Sequence, residues 1–324
     1  MIGRMYSLKS VNELTCRSIK SIFERAAYYK RTSCQKYKKM SETIPCLPGL
    51  TNKIVGIMFF EPSTRTNYSF QTALHNLGIK FIEYNHNFSS SKKGESLQDT
   101  IKTFECFCDL LIIRHPDKDI FKKVVFEKPV INAGNGSDEH PTQALLDLFT
   151  IYDTYLDKDF NIKKPIKISF VGDIKYSRTI HSLIKLVEKT CDTTVYNFVG
   201  NKKLLRCDEI DELLNDEQIH SNYYDDDSIN NILEFKPNVV YVTRMQKERS
   251  EDNITNNICI DNDFLDKLPD NTILMHPLPR NDELDISCDV NKRSVYFQQI
   301  KNGIYVRMAI IHNLLVLNTL NEMI

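Results

Sequence analysis

Apolar residues recur at Val11, Leu14, Ile19, Ile22, Phe23 and Ala26, a spacing that lays them along one face and predicts a helix over 11–39. Beyond it the pattern changes. Short apolar runs bounded by turn residues, at 54–60, 80–84, 109–114 and 129–132, read as strands, with helical patterns beginning near Ser63, Ser96 and Pro141. A polar stretch at 157–165 interrupts the alternation, which then restarts with strands at 166–171, 194–199, 239–243 and 272–275 and a helix over about 177–189. The chain closes on a long apolar-faced helix at about 303–324, too charged in its first turns to span a membrane. Strands that alternate with helices form parallel sheets covered on both faces. The expected fold is therefore α/β, with two doubly wound parallel-sheet domains: 1–155 with the C-terminal helix packing back on it, and 156–302.

Length agrees with this division, since 324 residues exceed one comfortable core and suit two of about 150. A formal net charge of -1 gives no global attraction to nucleic acid or anionic membranes, so any anion must be held by locally gathered Arg and Lys. The nine cysteines are odd in number and form no CxxC pair, which suits reduced thiols in a cytoplasmic protein better than disulfides or structural zinc. No apolar run reaches the roughly 18–20 residues of a membrane span. MIGRMYSLKS does not read as a secretory signal. The acidic run Asp225–Asp227 reads as a solvated loop rather than a metal site, and no metal or organic cofactor is implied.

Open α/β sheets bind ligands beyond the carboxyl ends of their strands, so the residues that follow strands carry the chemistry. After the first strand comes Ser63-Thr64-Arg65-Thr66 at a helix start. There free N–H groups, three hydroxyls and a guanidinium would cradle a phosphate. A Ser-capped helix with a surface arginine would look the same on these residues alone. Arg114 ends the apolar strand LLIIRHP, a costly place for a charge without a ligand or partner. The run Ala133-Gly134-Asn135-Gly136 reads as a flexible turn before His140, with Pro141 at the first helical position and Gln143 in the first turn. Farther on, Arg178 opens a helix after Gly172-Asp173, and Arg244 with Gln246 follows the strand at 239–243. Two guanidinium forks at successive strand ends suit a dicarboxylate.

The stretch F-x-P-S-T-R-T at 60–66 resembles the carbamoyl-phosphate signature of the transcarbamoylases, and the resemblance continues in order from about Met5 to Asn318. His140-Pro141-Thr142-Gln143 is similar to the family segment whose His and Gln bind the carbamoyl group. His276-Pro277-Leu278-Pro279-Arg280 and T-R-x-Q-x-E-R at 243–249 resemble the aspartate-type versions of their motifs, where ornithine-type members carry HCLP. The resemblance implies carbamoyl transfer from carbamoyl phosphate to the amine of L-aspartate, an early step of pyrimidine synthesis. It implies Ser63, Thr64, Arg65, Thr66, Arg114, His140 and Gln143 on carbamoyl phosphate, and Lys93, Arg178, Arg244, Gln246, Pro277 and Leu278 on aspartate. Thr66, Lys93, Arg114 and His140 would act on the reacting groups. The run Ser89-Ser90-Ser91-Lys92-Lys93 is similar to the family loop that reaches a neighbouring subunit, which implies a homotrimer sharing its sites through Ser89 and Lys93. Domain closure over two anions is a further expectation. The sequence leaves a regulatory chain undecided. Two alternatives stay open, a transcarbamoylase for another amine such as ornithine and an inactive structural paralogue.

Overall fold

A computed structural model of the chain describes residues 5–36, 50–85, 93–155, 165–191, 194–214, 220–224, 229–246 and 258–322. The chain divides into two units, one of Met1–Phe149 with Lys301–Ile324 and one of Thr150–Ile300. In order, the elements of the first are α1 (Cys16–Lys36), β1 (Ile54–Phe59), α2 (Thr64–Leu77), β2 (Lys80–Tyr84), α3 (Leu97–Phe107), β3 (Leu110–His115), α4 (Ile120–Lys123), β4 (Val130–Asn135) and α5 (Pro141–Tyr155). The second holds β5 (Ile166–Gly172), α6 (Arg178–Thr190), β6 (Thr194–Val199), α7 (Asp208–Leu213), β7 (His220–Tyr224), α8 (Asn230–Phe235), β8 (Val239–Thr243), α9 (Asn262–Asp266) and β9 (Ile273–Met275), before α10 (Tyr296–Glu322).

Both sheets are parallel throughout, as the alternation predicts. Unit 1 has the strand order β2-β1-β3-β4 and unit 2 the order β7-β6-β5-β8-β9. Their central strands β1, β3, β5 and β8 are buried almost end to end, because helices cover both faces. In each sheet the winding reverses once, between β1 and β3 and between β5 and β8, and such a reversal leaves a crevice at the carboxyl ends. The two reversals therefore single out the residues after Phe59 and at Arg114 in one unit, and after Gly172 and Thr243 in the other. Gly172 is required there: its φ is +109°, and an added Cβ would meet the Thr243 carbonyl oxygen at 2.3 Å.

Several expectations need correction. The helix predicted over 11–39 is a 3-10 turn at Val11–Glu13 and then α1. The break falls at Thr15, whose hydroxyl accepts from the Ser18 N–H at 3.2 Å while Ser18 Oγ accepts from the Thr15 N–H at 2.9 Å, a reciprocal start for the longer helix; residues 37–39 lie outside the described set. The supposed turn at 133–135 is the last half of β4. Asn132 supplies the missing partners, its Oδ1 accepting from the Gly134 N–H at 2.7 Å and its Nδ2 donating to Asn135 Oδ1 at 2.8 Å. β7 was not anticipated, since HSNYY on a sheet edge carries no apolar run. The last helix starts at Tyr296, before Gly303. Gly303 lies within it because an added Cβ would come within 2.9 Å of Leu146 Cδ2, a close approach to α5. The C-terminal part of α10 packs on unit 1 as expected: Arg307 donates to Ser69 Oγ at 2.9 Å and sits over the Phe70 ring, and His312 meets Arg25 and Tyr29 of α1.

Candidate active site

At the reversal in unit 1, β1 runs into Glu61-Pro62 and then α2. Ser63 is its N-cap residue, with extended backbone and no side-chain cap hydrogen bond, so its hydroxyl is not spent closing the helix. Thr64 and Arg65 are exposed in the first turn, whereas Thr66 is buried, and the helix closes on Gly78 at φ 70° as its sequence suggests. Thr66 Oγ1 lies 3.3 Å from His140 Nε2. Arg114, paired in register with Phe59, donates from Nη1 to the Ala133 carbonyl at 3.3 Å and from Nη2 to Glu61 Oε1 at 2.7 Å. Glu61 was not singled out from the sequence. An acidic residue two positions after β1, the strand next to that of Arg114, is the signal available in the sequence. His140 is buried just before α5, and Gln143, one turn on, donates to Asp147 Oδ1 at 2.8 Å. The structure thus gathers Ser63, Thr64, Arg65, Thr66, Arg114 and His140 at the ends of β1, β3 and β4, with Gln143 turned along its own helix. Lys93 is exposed in the turn before α3 and makes no ion pair with another described residue; Ser89 lies outside the described residues.

In unit 2 the strand ends are tied together by buried acids. Asp173, fully buried after β5, accepts from the Tyr176 N–H and the Gln246 N–H, both at 3.0 Å. One carboxylate therefore fixes the turn that leads to Arg178 and the segment that carries Arg244. Arg178 is buried at the first position of α6. Ser177 Oγ lies 3.1 Å from Thr179 Oγ1 and 3.4 Å from Thr243 Oγ1, a contact that joins the α6 start to the end of β8. Arg244 folds back to its neighbour's carbonyl, Nη1 to Met245 O at 3.0 Å, and Gln246 Nε2 donates to the Arg244 carbonyl at 3.4 Å. The rest of that motif, Lys247, Glu248 and Arg249, lies outside the described residues.

Pro277 and Leu278 follow β9. Leu278 has φ 54°, a left-handed conformation that costs a leucine energy and persists only where neighbours impose it. Two buried side chains do so. His276 Nδ1 accepts from the Leu278 N–H at 2.8 Å, and Nε2 donates to Glu283 Oε1 at 2.9 Å, which fixes the ring's tautomer. Glu283 also accepts from the Asn281 N–H at 2.9 Å. Burial works to raise the Glu283 carboxyl, yet these donors outweigh it and hold it below its ordinary value. Asp173 and Glu283 were not anticipated as positioning residues. Asp173 stands in Gly172-Asp173 after a strand and could have been found; nothing in the sequence around Glu283 marks it.

Among the described residues no group of three His, Cys, Asp or Glu stands together to hold a metal ion, and no helix is long and apolar enough to cross a membrane. Asp225–Asp227 lie outside the described residues.

These strand-end motifs lie within the reach of two known domain families. Residues 7–153 match the aspartate/ornithine carbamoyltransferase carbamoyl-P binding domain, and residues 164–314 match the aspartate/ornithine carbamoyltransferase Asp/Orn binding domain. The chain belongs to the aspartate/ornithine carbamoyltransferase family. It is 38% identical over 320 residues to the aspartate carbamoyltransferase catalytic subunit of Methanobrevibacter smithii, covering 96% of each chain. It is also 40% identical over 269 residues to the multifunctional protein pyr1-3 of Dictyostelium discoideum, a match that spans 81% of this chain and only 12% of that much longer protein. Among solved structures, the aspartate transcarbamoylase of Trypanosoma cruzi in complex with carbamoyl phosphate and aspartate is similar with a TM-score of 0.82 and 32% identity, over 95% of this chain and 96% of that one.

Proposed function

We propose that this chain transfers the carbamoyl group of carbamoyl phosphate to the amine of L-aspartate, giving N-carbamoyl-L-aspartate and inorganic phosphate. One observation carries the reading: both winding reversals end in anion-binding side chains, hydroxyls with guanidinium groups in unit 1 and two arginines in unit 2. The similarity to relatives named for aspartate supports that amine over ornithine.

The mixed anhydride is already activated, so the protein's task is positioning and charge stabilisation. Ser63, Thr64, Arg65 and Thr66 hold the phosphate, with the α2 N–H groups behind them. Thr66, Arg114 and His140 donate to the carbonyl oxygen as it gains negative charge, and Gln143 turns from Asp147 to the carbamoyl group. Arg178, Arg244 and Gln246 take the aspartate carboxylates, and the carbonyl groups of Pro277 and Leu278 orient the amine. The amine lone pair attacks the carbonyl carbon, the C–O bond to phosphate breaks, and the amine proton leaves with the phosphate. Arg114 must exchange Glu61 for substrate. Purified protein should form carbamoyl aspartate and leave ornithine untouched, because the ornithine cation would face Arg178 and Arg244. Comparable turnover of ornithine would overturn the assignment.

The chain works as a homotrimer in which Lys93 and Ser89 complete a neighbour's site, a reading supported by the exposure of Lys93 before α3. Lys93→Ala and His140→Ala chains refolded together should regain about a quarter of wild-type sites, since a three-fold ring pairs intact residues in that share. No regain from verified mixed trimers would remove the sharing.

A further inference from the structure

Behind the strand-end turn of unit 2 stands a line of three side chains that the transfer reaction does not use. His181 sits on α6, one turn beyond Arg178; Cys207 precedes α7 and Glu209 lies in its first turn. Glu209 Oε2 is 3.2 Å from His181 Nδ1, and its Oε1 meets Lys185 Nζ at 2.5 Å. On the other side of the ring, His181 Nε2 lies 2.8 Å from the Ile174 carbonyl oxygen and 3.6 Å from Cys207 Sγ. Cys207 is half-buried, while His181 is buried.

The arrangement decides the ring's charge. A carboxylate faces one nitrogen and a carbonyl the other, and neither can donate a hydrogen bond, so both nitrogens must carry protons for both contacts to be made. Burial opposes that charge, but Cys207, Glu209 and the Ile174 carbonyl outweigh it and raise His181 to about 9. Glu209 is lowered to about 2, by the hydrogen bond from His181 first, with burial opposing and Lys185 assisting. The remaining charged groups on and just before α7 are Arg206, which lies over the Tyr223 ring, Asp208, Asp211 and Glu212; Arg206 and Asp211 are 3.6 Å apart. A cysteine sulfur beside an imidazolium, with a carboxylate orienting the ring, is the arrangement that activates a thiol towards electrophiles.

We propose that Cys207 is a modification site, at which the sulfur, held beside the His181 imidazolium and Glu209, reacts with small electrophiles and peroxides. With hydrogen peroxide the sulfur attacks one oxygen, an S–O bond forms and the O–O bond breaks. Sulfur is oxidised to a sulfenic acid and the peroxide is reduced, the departing hydroxide leaving as water with the thiol's proton. The modification has a route to the aspartate side. His181 grips the Ile174 carbonyl in the turn that Asp173 begins and Arg178 ends, and a group added to the sulfur, 3.6 Å from the same ring nitrogen, disturbs that grip. This consequence rests on Arg178 being an aspartate ligand; the chemistry at sulfur does not.

The test uses the full chain and iodoacetamide at pH 6.5, with peptide masses following each cysteine in time. Cys207 should be alkylated about tenfold faster than the exposed Cys106, as expected for a thiol beside a cation. His181→Asn should bring Cys207 to the Cys106 rate, and Glu209→Gln, a change at a half-exposed side chain that spares the core, should slow it severalfold. A Cys207 rate equal to that of Cys106, or one unchanged in Glu209→Gln, would overturn the site. A second arm treats wild-type and Cys207→Ser protein with hydrogen peroxide. A rise in the aspartate KM in wild type alone, reversed by a small thiol, supports the link to Arg178. Fast labelling with an unchanged KM keeps the site and removes the link. If aspartate proves not to be the substrate, the labelling arm still reads the site by itself.

Discussion

At the rim of unit 1 the polar side chains stand on regular elements: Thr66 on the first turn of α2, Arg114 within β3, His140 at the lip of α5. At the rim of unit 2 they stand beside irregular segments fixed from beneath by buried acids, with Asp173 holding two backbone N–H groups and Glu283 holding, through His276, a third. The difference follows from what each rim would bind. A phosphate needs converging donors, which a helix start and a strand end provide without further support. A dicarboxylate must be gripped at two ends with its amine aimed, so segments from three strands have to keep fixed relative positions. Loops do this only when their backbone groups are satisfied inside the protein. Unit 1 carries its candidate residues on the elements themselves, whereas unit 2, apart from Arg178 at the start of α6, carries them on loops held by a layer below.

Substitutions should therefore act differently in the two units. Under the proposed transfer, Arg114→Ala would remove a donor to the developing oxyanion and should lower kcat about 10²–10³-fold with little change in melting temperature. A large stability loss with an intact kcat would reverse its role. Arg65→Ala and Arg244→Ala should each cost about 1.5–3 kcal/mol of ligand binding, the range for hydrogen bonds to charged groups. Steady-state kinetics should show the first chiefly as a raised carbamoyl phosphate KM and the second as a raised aspartate KM; equal changes in both constants would erase the division between the rims. Asp173→Ala leaves two N–H groups without their acceptor, and should cost about 2 kcal/mol of stability together with a raised aspartate KM. If thermal melts were unchanged, the buried acid would not be holding the loops.

Legibility in the sequence followed the same contrast. The parallel sheets and the Ser63–Thr66, Arg114 and His140 positions were readable because buried parallel strands are apolar runs and whatever follows them stands out. The order of strands was not readable, since no local pattern says where winding reverses; only the pairing of Phe59 with Arg114 and Gly172 with Thr243 does. β7 escaped because an edge strand needs no apolar face, and the half of β4 at 133–135 escaped because glycine and asparagine ordinarily break strands. Asp173 and Glu283 were missed as supports for a related reason. A buried acid is recognised by its partners, and these lie 73 residues away for Asp173 at Gln246 and 7 away for Glu283 at His276.

The smallest expected effect tests the layer below unit 2 most directly. Glu283→Gln keeps an oxygen to accept from His276 Nε2 and the Asn281 N–H, so the contacts survive and only the charge is lost. At pH 7 this should cost about 1 kcal/mol, the difference between a charge-assisted and a neutral hydrogen bond. It should lower the melting temperature by about 3 °C. The pH dependence fixes the cause. Because the folded protein holds the Glu283 carboxyl below its ordinary value, the wild-type advantage is complete above the unfolded carboxylate range, about 4.3. It is lost as pH falls through the lower folded value, where both states are protonated. The melting temperatures of wild type and Glu283→Gln should therefore differ at pH 6–7 and converge on acidification. A gap that stayed constant down to pH 3 would mean that packing, not the carboxylate, holds Leu278 in its left-handed conformation.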